Sequence, residues 1–166
     1  DRLQTMRIPT IACVESYALG GGLEIAMACD MIIATENAKF AQPEASLGVM
    51  PGWGGSLRLA ERVGKARAKE MFYTGEQITA QTAYEWGLVN HVCATENLDA
   101  FISEMIEKIK KNDSQVQALT KEILNSKSEG ERLRNAGDEA ITSSVCMNSE
   151  TTKQRMDEFF RSRQKK

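Results

Sequence analysis

Histidine is nearly absent from this chain: 166 residues hold a single one, His91. A His-based catalytic triad or a His-rich metal site therefore has nothing to be built from. The four cysteines, Cys13, Cys29, Cys93 and Cys146, lie far apart and form no CxxC pair. They read as reduced thiols of a cytosol-like compartment, and neither a disulfide frame nor a zinc site is expected. Charge of one sign is also missing, since the net charge is -2, so a nucleic-acid role gets no general electrostatic support. No stretch is apolar for long enough to span a membrane, and none reads as a signal peptide. Two phosphate-binding loops are lacking as well. Gly64-Lys65-Ala66 has neither the hydroxyl nor the upstream glycine of a Walker A loop. The glycine run at 20–22 is not GxGxxG and has no acidic ribose-binding residue at the expected distance.

What remains is an ordinary globular composition, 42% hydrophobic and 27% charged, and a length sufficient for one compact domain with a real core. The chain opens Asp1-Arg2-Leu3-Gln4-Thr5-Met6-Arg7 without an initiator Met and by Pro9 is entering a buried-looking strand. Upstream sequence is therefore expected to supply that strand's first neighbours.

The richest stretch is Ala18-Leu19-Gly20-Gly21-Gly22-Leu23-Glu24, followed about twenty residues on by Gln42-Pro43-Glu44. Three glycines let the backbone turn tightly and approach a ligand with no Cβ in the way. A helix then begins, and the unpaired N–H groups at its N-terminus suit a developing negative charge. Glu24 lies two residues past the last glycine, and Glu44 follows a proline that stiffens its approach. Oxyanion donors and two carboxylates are the components of acid–base chemistry next to a carbonyl.

Around them the pattern alternates. Thr10–Val14, Met31–Ala34 and Lys39–Ala41 read as strands, with a helix over Leu23–Cys29 and a βαβ-type crossover. The Gly48–Gly55 segment is dense in glycine and proline and reads as a loop. Helices follow over Ser56–Val63, Lys65–Tyr73 and Thr79–Trp86, each stopped by a glycine, and Leu88–Val92 reads as a strand. Beyond Asn97 the composition shifts and everything reads as helix. Leu98, Phe101, Ile102, Met105, Ile106 and Ile109 form one stripe, and Val116, Leu119 and Ile123 another. Two further helices are expected over 130–147 and 151–163.

Singly, these features have plainer explanations. Gly20–Gly22 could be a flexible turn, Glu24 a carboxylate favoured by the helix dipole, and Glu44 a surface acid. Trp53 could be a plug on a glycine-rich loop and His91 a structural residue beside a strand. Phe159 and Phe160 could be packing residues, and the basic tail from Arg161 to Lys166 a solvated end.

Together they resemble one family. The run from Ile8 to Asp30 closely resembles the motif of the enoyl-CoA hydratase/isomerase (crotonase) family. So does Ala38-Lys39-Phe40-Ala41-Gln42-Pro43-Glu44, continued by Leu47-Gly48, Pro51-Gly52-Trp53-Gly54-Gly55, Arg58-Leu59, Val63-Gly64, Thr74-Gly75, Ala83 and Gly87-Leu88-Val89. Met156–Arg163 looks like the family's closing helix. The resemblance implies an α/β fold: a crotonase-like ββα spiral core over 1–96, its N-terminal portion missing, then a helical oligomerisation region over 97–166. It implies acyl-CoA thioesters as substrates. It assigns an oxyanion N–H to Gly21, with the second donor outside this chain, and an acid–base pair to Glu24 and Glu44. It places Gly20, Gly22, Pro51, Gly52 and Trp53 at the substrate, with Ala45, Met50 and Trp53 near the acyl chain. The implied activity is hydration of 2-trans-enoyl-CoA to 3-hydroxyacyl-CoA, as in fatty acid or butyrate metabolism. Enoyl-CoA isomerisation, or an inactive CoA-binding or oligomerisation piece, is the alternative. No metal or organic cofactor is implied, because the thioester itself activates the carbon. The expected assembly is a homotrimer or dimer of trimers, in the cytoplasm or, with a transit peptide, the mitochondrial matrix; no nucleic acid or membrane partner is expected.

Overall fold

The computed structural model describes residues 2–48, 50–125, 150, 153, 154, 157 and 161. The expected helices over 130–147 and 151–163, the Phe159–Phe160 pair, Cys146 and the basic tail lie largely or wholly outside these residues. The chain forms two compact units, Asp1–Asp113 and Ser114–Lys166. The first unit thus runs past the soft boundary expected near Asn97, and the helix over Leu98–Lys110 belongs to it.

That unit winds between two three-stranded sheets. A short helix α1 (Arg2–Thr5) leads to β1 (Ile11–Val14), β2 (Tyr17–Leu19), α2 (Gly21–Ala28), β3 (Met31–Thr35) and β4 (Lys39–Ala41). A 3-10 turn over Pro43–Leu47 and a glycine-rich loop then lead to α3 (Gly55–Val63) and α4 (Lys65–Thr74). β5 (Ile78–Thr79), α5 (Ala80–Glu85), β6 (His91–Cys93), a 3-10 turn over Thr95–Asn97 and α6 (Leu98–Lys110) complete the unit. The first sheet has the order β1-β3-β6 and is parallel throughout; the second has the order β2-β4-β5. Ile11 pairs with Met31 in one sheet and Tyr17 with Lys39 in the other, both in parallel register. The first two passes, β1-β2 and β3-β4, each give one strand to each sheet before entering a helix, whereas α5 separates β5 of the second sheet from β6 of the first. The expected crossover from β1 to β3 is present, but it runs through β2, which the hydrophobic pattern did not reveal. β1 finds its partner downstream, in β3.

β3 is buried over four consecutive residues, Ile32 to Thr35, as a parallel strand covered on both faces should be. Ile32, Phe40, Leu23, Leu59, Met71 and Leu88 are fully buried, and they bring both sheets and helices α2, α3 and α4 into one core. Among the described residues every buried side-chain polar atom has a partner, and so do the half-buried groups of Thr10 and Asp30. The Asp30 carboxylate accepts from the Thr10 N–H at 2.7 Å and the Thr10 hydroxyl at 2.9 Å. The Thr35 hydroxyl donates to the Glu15 carbonyl at 2.6 Å.

The strand expected over Leu88–Val92 is displaced to His91–Cys93. The N–H groups of Leu88 and Val89 both donate to the Ala83 carbonyl, at 2.8 and 3.2 Å, which ends α5 and keeps them out of the ladder. Asn90 then joins β3 through its side chain, whose oxygen accepts from the Ile32 N–H at 2.8 Å. His91 packs on Phe101 of α6 with ring centroids 5.2 Å apart. In the second unit Ser114–Leu124 forms α7, where Leu119 and Ile123 are half-buried and Val116 is exposed. Among the described residues no helix is long and apolar enough to cross a membrane.

Candidate active site

The glycine run forms the corner between β2 and α2. Gly20 still belongs to the sheet through its N–H, which donates to the Ala41 carbonyl at 2.9 Å. It then turns at φ 52, ψ -122, a conformation that only glycine adopts without strain. Helix α2 starts at Gly21, and its first intrahelical bond is Glu24 N–H to the Gly20 carbonyl at 3.0 Å. The N–H groups of Gly21, Gly22 and Leu23 thus precede the helical ladder at its positive end. At the other end Arg62 closes the helix, donating to the carbonyls of Met27 at 3.2 Å and Cys29 at 2.7 Å. Burial pulls the pKa of this guanidinium down from its ordinary value.

Glu24 points inward and is 3% exposed. One carboxylate oxygen, Oε1, accepts from the N–H of Trp53 at 2.9 Å and of Gly55 at 2.7 Å. The space this needs exists because residue 55 is glycine: a Cβ there would lie 2.8 Å from Glu24 Oε1 and 3.0 Å from the Gln42 amide. The loop that presents these two donors is held by Arg58 of α3. Its Nη1 donates to the Trp53 carbonyl at 2.5 Å, and its Nε and Nη2 reach Gln4 Oε1 at 3.2 and 3.1 Å. Gly54, at φ 95, leaves room for it, since a Cβ there would stand 2.6 Å from Nη1.

Glu44 enters from the other side. It sits half-buried in the 3-10 turn behind Pro43, and its Oε1 lies 3.2 Å from where a Gly20 Cβ would be. Gln42, fully buried, orients it: with its nitrogen facing the carboxylate, the amide donates to both oxygens at 2.8 and 2.9 Å. The end of α4 supports the turn from behind, where Gly75 (φ 64) stands against Pro43.

The indole of Trp53 completes the arrangement. Its Cζ3 lies 2.9 Å from the position of a Cβ on Gly21. Glu24, Glu44, Gly20, Gly21 and Trp53 are therefore brought together around a single turn. Gly22 and Gly52 are not drawn in this way, since a Cβ on either would meet nothing within 4 Å. Pro51 is half-buried, and Ala45 and Met50 are exposed. Gln42, Gly55 and Arg58 belong to the motifs that carry the resemblance, which assigns them no place in the site. The available signal was position: Gln42 directly precedes the Pro-Glu pair, and Arg58 lies one helical turn beyond Gly54. Among the described residues no group of three His, Cys, Asp or Glu is placed to hold a metal ion.

Comparison with known proteins identifies what this chain is similar to. A family model described as enoyl-CoA hydratase/isomerase matches residues 1–166. The mitochondrial enoyl-CoA hydratase of Pongo abelii is 46% identical over 125 residues, 75% of this chain and 43% of that protein. The crotonyl-CoA hydratase of Syntrophomonas wolfei is 37% identical over 161 residues, 97% of this chain and 62% of that protein. Among solved structures, enoyl-CoA hydrates subunit I from Geobacillus kaustophilus HTA426 superposes with a TM-score of 0.89 at 33% identity, covering 98% of this chain and 63% of the other. The match thus spans about two-fifths to three-fifths of the length of these relatives. A family model that matches residues 1–166 and a superposition covering 98% of the chain place it in the enoyl-CoA hydratase/isomerase family, with its crotonase-like α/β fold.

Proposed function

We propose that the protein to which this chain belongs is an enoyl-CoA hydratase, adding water across the C2=C3 bond of a 2-trans-enoyl-CoA to give the 3-hydroxyacyl-CoA. The observation that carries the reading is the convergence of two separately oriented carboxyls, Glu24 and Glu44, on the glycine corner. Hydration requires one proton to be taken from water as its oxygen attacks C3, and one to be delivered to C2. Two carboxyls in different surroundings can hold those opposite roles. Negative charge then develops on the thioester oxygen, where the Gly21 N–H, at the positive end of α2, is the donor this chain contributes. The thioester supplies the electronic activation, so the reading calls for no metal or organic cofactor.

The clamped geometry favours this chemistry. Glu24 cannot swing away, because its Oε1 is held by two N–H groups on a loop that Arg58 fixes in turn. Its other oxygen has no bond to that loop and is the one assigned to water. The reading also includes the trimeric or dimer-of-trimers assembly and the cytoplasmic or mitochondrial-matrix setting.

The test uses the complete translated protein. Wild type should hydrate crotonyl-CoA, and Glu24→Gln and Glu44→Gln should each lower kcat by two or more orders of magnitude, consistent with the scale of general acid–base catalysis. Both variants retaining near-normal turnover would sink the assignment. Faster conversion of 3-enoyl-CoA than hydration of 2-enoyl-CoA by the wild type would move the reaction to isomerisation.

A further inference from the structure

The loop that seats Glu24 has little stiffness of its own. Gly52, Gly54 and Gly55 surround Trp53, and Gly54 stands at φ 95, in a region that glycine enters and leaves freely. The N–H groups of Trp53 and Gly55 nevertheless meet on one oxygen of Glu24, at 2.9 and 2.7 Å. For that, the planar peptide between them, which carries the Trp53 carbonyl, must be fixed. Arg58 fixes it, with Nη1 donating to that carbonyl at 2.5 Å. The guanidinium is itself held along its side edge, where Nε and Nη2 donate to Gln4 Oε1 at 3.2 and 3.1 Å. Gln4 is half-buried on α1, 54 residues earlier in the chain. Arg58 is only 8% exposed and lies in the first turn of α3. The helix dipole disfavours a cation there, and burial adds a desolvation cost. A cation is kept in such a place by what it binds.

We propose that Arg58 is the positioning residue for the Glu24 carboxylate and that Gln4 sets Arg58, so that turnover depends on a side chain of α1. The inference rests on the hydratase reading above and deepens it. The contacts form a continuous series. Gln4 orients the plane of the guanidinium, and the guanidinium orients the peptide between Trp53 and Gly54. The peptides on either side of that one present the two donors to Oε1. A carboxylate is planar, so anchoring Oε1 also directs the second oxygen, the one assigned to water. Lysine could not do the same work, because its donors radiate from one nitrogen and cannot span two acceptors in a fixed plane. The fork fits only because residue 54 has no side chain, since a Cβ there would lie 2.6 Å from Nη1. Without the guanidinium, a glycine-rich loop chooses among conformations of which few bring both N–H groups onto Glu24.

The experiment uses the complete translated protein and compares wild type, Arg58→Ala, Arg58→Lys, Gln4→Met and the double variant of Gln4→Met with Arg58→Ala. kcat and KM are measured on crotonyl-CoA, and amide hydrogen exchange over residues 52–55 is followed by mass spectrometry. Both Arg58 variants should lower kcat by about tenfold to a hundredfold, the scale on which a displacement of about 1 Å acts, while KM moves less than about threefold. Gln4→Met keeps the side-chain length but removes the acceptor. It should lower kcat about threefold to tenfold alone and less than about twofold when Arg58 is already alanine, because the two residues act as one unit. A residue that only stabilised the fold would lower the melting temperature and leave the kcat of folded enzyme unchanged. Arg58→Lys takes the place of the alanine variant in every comparison should that one fail to fold. A folded Arg58 variant with kcat within twofold of wild type overturns the proposal, as does a Gln4→Met effect of equal size in both backgrounds. If wild type does not hydrate crotonyl-CoA but loop exchange is at least tenfold faster in Arg58→Lys and Gln4→Met, the positioning stands and the hydratase reading falls. If wild type hydrates crotonyl-CoA while neither kcat nor exchange moves in the variants, the reverse holds. With neither hydration nor faster exchange, both fall.

Discussion

Glu24 shows how much of a site can be built from what a residue lacks. Its carboxylate is seated by two N–H donors, and it fits only because Gly55 has no side chain. Gly55→Ala should therefore push the carboxylate off its donors. A tenfold or greater loss of kcat is expected, with a stability cost of about 1–3 kcal/mol from overpacking. Gly22→Ala is the matched control from the same neighbourhood. Its Cβ meets nothing within 4 Å and its φ is not positive, and alanine is the better helix former by up to about 1 kcal/mol. Its melting temperature should hold or rise slightly. Equal losses in the two variants, read by steady-state kinetics and thermal melts, would contradict the clamp. The residue types of the site were legible from the chain: Gly20, Gly21, Glu24 and Glu44 all meet at one corner. What could not be read was that Gln42 turns inward to hold Glu44, because a glutamine in a polar turn carries no local mark of burial.

At the scale of elements, α2 works at both ends. Its N-terminus offers the Gly21 N–H, and its C-terminus is closed by Arg62 from α3. Arg62→Ala removes the donor to two carbonyls and should lower stability by about 1–3 kcal/mol, measured as a shift in the denaturant midpoint. Because the cap lies a full helix away from the glycine corner, kcat should change far less than stability. A fall in kcat with no loss of stability would show that this account of Arg62 is wrong. The longer helices were readable, since α3, α4 and α6 carry helical apolar spacing and α3 and α4 end at glycines 64 and 75. β2 and β5 were not, being three and two residues long, too short for an alternating pattern to emerge. They exist because β4 lies between them and supplies their hydrogen bonds.

For the molecule as a whole, family membership rests on a match along the full chain, and the proposed assembly makes a prediction about mass. Light scattering on the complete translated protein should give the mass of three or six copies; a monomer would count against the proposed assembly.

By itself, the sequence determined the chemistry available and the local turns. The glycines that permit a positive φ, the proline before Glu44 and the helical periodicities act over a few residues, so they are written in adjacent letters. Only the tertiary structure decided that the chain passes through two sheets, that Trp53 and Gly55 lend their N–H groups to a carboxylate about thirty residues away, and that an indole occupies the space beside Gly21. Those outcomes depend on which backbone donors and which empty volumes meet in space. No local preference specifies such a meeting, and the burial of the shared core brings it about.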